Sequence, residues 1–324
     1  MKYYKNILEA IGNTPLVKLN QVIDQNHATV LAKLEYLNPL GSVKERMALH
    51  IICQAEREGK IKKGDIIIDN TSGNTGIGVA FVAALKGYRS LFAMSSKQSQ
   101  EKVDMLKALG AEVVITPADA AHDSPNSCYN TAKRIAGQRK DSFYLNQYDN
   151  PQNTQAHYLT TGPEIWEQTD GKVDCVVAGV GTGGTLSGIG RFLKEKNKNI
   201  KIIGIDPIGS LFYDLLKEGK LIEPKSYMVE GIGTDMETQA FDRKVIDDII
   251  QVSDREAFLM SRRLLKEEGL FVGGSSGAAV VGAKKMAEKL GKNKLIVTLL
   301  PDTGSRYLSK IYSDEWMKEH GFLD

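Results

Sequence analysis

The chain has 324 residues, of which 25% are charged and 42% hydrophobic, and its formal net charge is +2. This length exceeds one ordinary hydrophobic core, so we expect two domains. Lys and Arg are spread along the chain without a basic block, which argues against binding to nucleic acid or to an anionic membrane. The uncharged stretch 71–85 contains three glycines and is shorter than the ~18–20 apolar residues that a membrane span needs.

Cysteine use and the N-terminus indicate a cytoplasmic protein. Cys53, Cys128 and Cys175 show neither zinc-ligand spacing nor a Cys-x-x-Cys motif, so we expect no metal site and small buried residues in a reducing compartment. Residues 1–6 carry no apolar signal core behind them.

Apolar runs alternate with helical patterns along most of the chain. In chain order the predicted elements are a strand at 29–34, a helix at 44–60, a strand at 65–69, a helix at 78–86, a strand at 88–94, a helix at 99–109, a strand at 112–116, a helix at 126–138, strands at 143–147 and 173–180, a helix from 185, a strand at 201–206, helices at 254–268 and 275–289, and a strand at 294–300. The alternation predicts parallel βαβ units with right-handed crossovers, and hence an α/β fold.

Lys44 falls in the first turn of a predicted helix whose expected N-cap is Ser42. A helix N-terminus disfavours a cation, and an amine whose protonated form is disfavoured is a better nucleophile toward a carbonyl. A solvated surface lysine is the alternative, and the remaining motifs decide between the two.

Three glycine-rich loops each open a predicted helix. Residues 71–76 and 181–185 also follow predicted strands, and such loops point backbone N–H groups and a helix dipole at an anion. The loop at 181–185 has three glycines and two hydroxyls, which suits a phosphate, whereas 71–76 also suits a carboxylate or a phenolate. In the third loop, at 273–277, Ser275 is a helix cap whose hydroxyl has room for a second role.

The second loop also allows a rival interpretation. Gly179-x-Gly181-x-x-Gly184 matches the dinucleotide fingerprint, and Asp206 lies about 20 residues on, where an acid that binds ribose should be. A glycine turn for close strand–helix packing is a further alternative. The dinucleotide interpretation leaves Lys44 and Ser275 without a role.

Four motifs in fixed order carry a family resemblance: Gly41-Ser42-Val43-Lys44, Thr71-Ser72-Gly73-Asn74-Thr75-Gly76, the loop 181–185, and Gly274-Ser275-Ser276-Gly277. With them the chain resembles, from about residue 12 to 304, the fold type II pyridoxal-phosphate β-replacement enzymes, the family of cysteine synthase and cystathionine β-synthase. The resemblance implies two doubly wound open sheets of the tryptophan synthase β type. It also implies a larger cofactor-binding domain (1–41 and 148–324), a smaller, mobile substrate-side domain (42–147) and a homodimer.

The resemblance assigns a role to each motif. It implies that Lys44 forms the Schiff base with pyridoxal 5′-phosphate and later moves the substrate's α-proton. Asn74 would contact the pyridine 3′-oxygen, and Ser275 the ring nitrogen. The implied phosphate loop comprises Gly181, Thr182, Gly183, Gly184 and Thr185. The implied binders of the substrate carboxylate are Thr71, Ser72, Asn74, Thr75 and Gln147.

The implied chemistry is β-replacement or β-elimination on serine- or cysteine-type amino acids through an aminoacrylate. A neutral serine at the ring nitrogen makes a weaker electron sink than a carboxylate would, which suits expulsion of a β-leaving group. We favour L-serine with L-homocysteine, because residues 123–127, 229–235, 271–274 and 312–317 look like cystathionine β-synthase. Residues 147–151 and 161–165 look like cysteine synthase, so cysteine synthesis from O-acetylserine stays open. A cysteine lyase that releases sulfide and forms serine stays open too, as does a nicotinamide-dependent oxidoreductase.

Asp235 is the candidate for the acceptor half of the reaction. It could pair with the ammonium of homocysteine or act as a base toward water, and the alternative is a turn aspartate that caps its own backbone. Two departures from the family pattern fall on the substrate side: Asn70 replaces the usual Pro or Ala, and Ser95-Ser96 replaces Pro-Glu. They leave room for an unusual donor or acceptor.

Overall fold

A computed structural model describes residues 1, 3–71, 73–96, 98, 100–121 and 123–324. In chain order the strands are β1 (Leu16–Lys18), β2 (Thr29–Leu34), β3 (Ile66–Asn70), β4 (Arg89–Ser95), β5 (Glu112–Thr116), β6 (Ser142–Tyr144), β7 (Cys175–Gly179), β8 (Lys201–Pro207), β9 (Asp248–Val252) and β10 (Leu295–Leu300). The α-helices are α1 (Lys44–Arg57), α2 (Asn74–Lys86), α3 (Gln100–Ala108), α4 (Cys128–Gly137), α5 (Pro151–Leu159), α6 (Thr161–Gln168), α7 (Gly184–Lys196), α8 (Phe212–Lys217), α9 (Asp254–Glu268), α10 (Gly274–Leu290) and α11 (Asp314–Glu319).

The strands form two sheets, which confirms the predicted α/β class. One sheet has four parallel strands in the order β5-β4-β3-β6. The other has six strands in the order β1-β2-β10-β7-β8-β9, all parallel except β1, which runs antiparallel to β2. Parallel sheets need crossover connections, and the helices between the strands supply them.

Helices cover both faces of each sheet, and this explains the continuous apolar runs. Every residue of β3 is buried. Its Ile67 packs with Met47 and Ile77 of α1 and α2, whereas Ile66 and Ile68 pack with Ala132 of α4 on the opposite face. A strand buried on both faces needs apolar side chains at consecutive positions, because neighbouring side chains point to opposite faces.

The starts of two helices differ from the sequence prediction in ways that affect the site. Helix α1 begins at Lys44 with Val43, not Ser42, at the N-cap; the Ser42 hydroxyl instead accepts the N–H of Lys44 at 3.3 Å. Helix α2 begins at Asn74, four residues earlier than predicted, so that Asn74 lies in its first turn. Helices α5, α6, α8 and α11 have no counterpart in the sequence prediction. No helix in the described part of the chain is long and apolar enough to cross a membrane.

Candidate active site

Lys44 lies at the start of α1 and lines a cleft between the two sheets. Burial lowers the pKa of its amine from the usual 10.5 to about 8, and the nearby carboxylate of Asp302 opposes that shift. Among the described residues the amine has no hydrogen-bond or ion-pair partner. Close to a tenth of the amine is then neutral at pH 7, roughly three hundred times the fraction of an ordinary lysine and enough for a nucleophile.

The backbone around Lys44 is held from two sides. The carboxylate of Glu45 accepts the N–H groups of Leu40 at 3.0 Å and Ser42 at 2.9 Å, which closes the turn that precedes the helix. On the other side, Gly78 of α2 packs on the backbone of α1, since a Cβ at Gly78 would lie 3.2 Å from the nitrogen of Glu45. The start of α1 is therefore fixed by packing as well as by hydrogen bonds.

The loop 181–185 connects β7 to α7 and lines the same cleft. Gly183 has a φ of 90°, which favours glycine, and a Cβ at Gly181 would lie 2.6 Å from the carbonyl oxygen of Gly231. In the part of the chain that the structure covers, the N–H groups of Gly181, Thr182, Gly183 and Thr185 have no acceptor. Free N–H groups at a helix N-terminus make an anion site.

Ser275 is the second residue of α10 and lines the cleft with Lys44. The expected capping role of Ser275 is wrong, because the N-cap is Gly273 and no described side chain caps this helix. The side chain of Ser275 is only 3% exposed. Within the described chain its hydroxyl has no hydrogen-bond partner. A buried hydroxyl normally has a partner, so this one is placed to bind a ligand in the cleft.

Asn74 also lines the cleft, and its amide is fixed in orientation. Its Nδ2 donates to Asp302 Oδ2 at 2.7 Å, and its Oδ1 accepts from Arg306. Asp302 is fully buried and also accepts the hydroxyl of Tyr307 at 2.6 Å. None of the motifs in the sequence assigns a role to these three partners. One feature of the sequence could have indicated that these residues belong to the site. They follow β10 directly in a polar segment, and ligands usually bind at the carboxyl ends of parallel strands.

The candidate residues for the substrate carboxylate form a hydrogen-bonded group beside Asn74. The hydroxyl of Thr75 donates to Gln147 Oε1 at 2.7 Å, and Gln147 Nε2 donates to the carbonyl of Asn70 at 2.9 Å. The hydroxyl oxygen of Thr71 accepts the N–H groups of Gly73 and Gly76, both at 2.9 Å. These two bonds stabilise the loop. The hydroxyl of Thr71 can therefore contact a substrate only as a hydrogen-bond donor. Ser72 lies outside the described residues.

Asp235 is exposed, and in the described chain it has neither an ion pair nor a hydrogen bond. Its charge acts on two tyrosines, Tyr129 and Tyr148, whose ring centroids lie 5.5 Å apart. Burial is the largest cause that raises the pKa of both phenols, and the charge of Asp235 adds to it. A carboxylate without a partner among the described residues is able to meet a cationic group.

Asp206 does not serve the dinucleotide interpretation. Its carboxyl group is fully buried, and it accepts the N–H of Tyr213 at 2.9 Å in the first turn of α8. Burial raises its pKa to about 7. A ribose-binding acid has to face an open crevice, which this one does not.

The groups in the cleft fit pyridoxal phosphate. The free N–H groups of the loop 181–185 suit the phosphate, and the Lys44 amine suits the aldehyde. The second N–H of the Asn74 amide suits the 3′-oxygen, and the unpaired hydroxyl of Ser275 suits the ring nitrogen.

Comparison with known proteins agrees with this donor set. A family profile described as "Pyridoxal-phosphate dependent enzyme" matches residues 7–302. The chain is 47% identical to a cystathionine beta-synthase of Dictyostelium discoideum over 98% of its own length and 64% of the relative's. It is 47% identical to that of Rattus norvegicus over 99% of its own length and 58% of the relative's.

A cysteine synthase of Staphylococcus aureus is 48% identical over 94% of this chain and 95% of the relative. The chain thus spans about three fifths of those two cystathionine beta-synthases and nearly all of the cysteine synthase. From the family match and these relatives, the chain belongs to the family of pyridoxal-phosphate-dependent enzymes.

Proposed function

We propose that the protein catalyses pyridoxal-phosphate-dependent β-replacement on serine- or cysteine-type amino acids. The observation that carries the proposal is one cleft lined by a low-pKa lysine, a free anion loop and an unpaired serine hydroxyl. When bound, pyridoxal phosphate supplies a carbonyl that links to amines and a ring that withdraws electrons.

Lys44 has two tasks in this proposal. Its neutral amine holds the cofactor, and after the substrate's amine replaces it, it moves the proton at the substrate's α-carbon. A pKa of about 8 suits both, because a base and its conjugate acid are then both present near neutral pH.

Ser275 and the loop 181–185 orient the cofactor in the proposal, and Asn74 contacts its 3′-oxygen. Ser275 is neutral, so it leaves the ring nitrogen without the proton that a carboxylate would hold there. Thr71, Ser72, Asn74, Thr75 and Gln147 take the substrate carboxylate, aided by the N-terminus of α2, which favours an anion.

The proposed substrate pair is L-serine and L-homocysteine. Two relatives named cystathionine beta-synthase support it, and so does the exposed, unpaired carboxylate of Asp235, which suits the ammonium group of an amino-acid acceptor. The second candidate is cysteine synthesis from O-acetylserine and sulfide, favoured by the cysteine synthase relative that the chain spans almost completely. A cysteine lyase reaction that releases sulfide is the third.

We further propose that residues 42–147 form the smaller, mobile domain, that the rest forms the larger one, and that the enzyme is a cytoplasmic homodimer. The strands between 66 and 144 form their own sheet, which supports the division. A buried ion pair between Lys102 of α3 and Glu230, next to the cleft residue Gly231, joins the two parts. Light scattering on the purified protein tests the dimer, and a monomer mass would refute it.

A product matrix tests the substrate proposal. The protein loaded with pyridoxal phosphate is incubated with serine, O-acetylserine or cysteine as donor, and with homocysteine, sulfide or water as acceptor. Mass spectrometry identifies the products, with Lys44→Ala as the control. Cystathionine from serine and homocysteine is expected to form fastest. Faster cysteine formation from O-acetylserine and sulfide would select the second candidate, and the absence of every β-replacement product would refute the class.

A further inference from the structure

A buried histidine connects the loop 181–185 to the start of α6. His157 of α5 is 0% exposed. Its Nε2 lies 3.1 Å from the hydroxyl oxygen of Thr185, and its Nδ1 lies 2.8 Å from that of Thr161. The three side chains form one chain of hydrogen bonds that ends at the cleft, because Thr185 lines it.

Two glycines bring His157 this close to Thr185. Gly184 and Gly188 lie one turn apart on the face of α7 that meets α5. A Cβ at Gly188 would lie 2.8 Å from both the Cβ of His157 and the nitrogen of Tyr158, and a Cβ at Gly184 would overlap the side-chain amide of Asn153. The two helices therefore touch backbone to backbone, and the imidazole spans the short remaining distance.

The imidazole of His157 is neutral in this position. Burial, followed by the charges of Arg46 and Lys44, holds its pKa well below its usual range. A neutral imidazole has one donor and one acceptor nitrogen, so the chain of hydrogen bonds has a direction, and the tautomer sets it.

A bound phosphate fixes that direction. A dianionic phosphate ester has oxygens that accept hydrogen bonds and no proton to donate, so the Thr185 hydroxyl must donate to it. The oxygen of Thr185 then accepts from the Nε2–H of His157. The remaining nitrogen, Nδ1, must in turn accept from the hydroxyl of Thr161.

We propose that His157 and Thr161 are positioning residues, which hold the Thr185 hydroxyl as a donor toward the cofactor phosphate, and that phosphate binding selects the Nε2–H tautomer of His157. This inference rests on the proposed function, since it requires the phosphate at residues 181–185. It explains why a buried, uncharged histidine lies between two threonines at the base of the phosphate loop.

The first test is the affinity for pyridoxal phosphate, measured by equilibrium dialysis on the apo-protein. Thr161→Val keeps the shape of the side chain but removes the donor to Nδ1, so the Kd should rise about 3- to 10-fold, the usual value of one buried hydrogen bond. His157→Phe should raise the Kd at least as much. The matched control is Thr160→Val, whose hydroxyl donates to the carbonyl of Ala156 at 2.7 Å outside this chain of hydrogen bonds, and its Kd should equal that of wild type.

The second test reads the tautomer directly. The chain is labelled with ¹⁵N-histidine, and the ring nitrogens of His157 are assigned from the spectrum of His157→Phe. With pyridoxal phosphate bound, Nε2 should carry the proton and Nδ1 should not. A proton on Nδ1 in the loaded protein, or an unchanged Kd in Thr161→Val, would overturn the inference.

Thr185→Val distinguishes the phosphate site from the positioning role of His157 and Thr161. If Thr185→Val weakens binding while His157→Phe and Thr161→Val do not, the phosphate site stands and the positioning role is refuted. If Thr185→Val binds as tightly as wild type, the phosphate lies elsewhere and both proposals fall.

Discussion

Gly188→Ala should disrupt the contact between α5 and α7. The new Cβ would lie 2.3 Å from the carbonyl oxygen of Thr154 and 2.8 Å from the Cβ of His157, whereas ordinary contacts begin at 3.4 Å. The nearest obstacle is backbone, so α5 must retreat by about 1.1 Å to restore an ordinary contact. The separation of His157 Nε2 from Thr185 Oγ1 then grows from 3.1 Å to about 4.2 Å, beyond the range of a hydrogen bond.

Two losses should follow from that movement. Overpacking of a close contact typically costs about 1–3 kcal/mol of unfolding free energy. The lost hydrogen bond should raise the Kd for pyridoxal phosphate about 3- to 10-fold. Thermal denaturation of the apo-protein followed by circular dichroism measures the first, and equilibrium dialysis measures the second.

Gly137→Ala is the matched control, because Gly137 also lies in a helix but has nothing within 4 Å of its would-be Cβ. That change should leave the Kd unchanged and stabilise the fold by up to about 1 kcal/mol. If Gly188→Ala behaved like Gly137→Ala in both assays, the tight packing of α5 on α7 and its link to the phosphate loop would be disproved.

Three further predictions concern the cleft. Lys44→Ala should abolish β-replacement without lowering the melting temperature. In wild type, the rate at which the apo-protein captures pyridoxal phosphate should rise with pH up to about 8 and then level off, because only the neutral amine reacts. A capture rate that does not depend on pH would contradict this. Ser275→Asp should place a carboxylate at the ring nitrogen of the cofactor and raise the pKa of that nitrogen. β-Replacement should then slow, and mass spectrometry should detect a transamination product. An unchanged product ratio would show that Ser275 faces another atom. Asp235→Asn should leave loss of the donor's leaving group at its normal rate and slow addition of the acceptor by roughly 10²-fold in stopped-flow spectra; equal slowing of both halves, or of neither, would return Asp235 to the role of a turn residue.

The two sheets could be predicted because their strands carry a local signal. A strand buried on both faces must be apolar at consecutive positions, and β3 and β10 read that way in the sequence. The start of α2 was predicted less accurately than the strands. The hydrogen bonds at this start come from the side chain of Thr71, which accepts the N–H groups of Gly73 and Gly76. No apolar periodicity marks that first turn.

Helix α5 was missed because its buried face is polar. Asn153, Thr154 and His157 are buried against the glycines of α7, so the face lacks the apolar stripe from which helices are predicted. A capping signal was present nonetheless. Asn150 accepts the N–H of Gln152 at 3.0 Å, and Pro151 occupies the first helical position.

The surroundings of Lys44 and Asn74 depend on contacts that no local pattern encodes. Asn74 is separated from Asp302 by 228 residues, yet their side chains are hydrogen-bonded. The low pKa of Lys44 was predicted from the helix dipole, whereas burial is its largest cause in the structure. The sequence thus pointed to Lys44 as the candidate, but the environment of its amine only emerged from the packing of distant segments.

Covalent trapping tests directly whether Lys44 binds pyridoxal phosphate. The protein loaded with pyridoxal phosphate should show a visible absorption band that borohydride abolishes, and peptide mapping of the reduced protein should place the pyridoxyl group on Lys44. A modification at another lysine, or a colourless protein that binds a nicotinamide cofactor instead, would refute this role of Lys44.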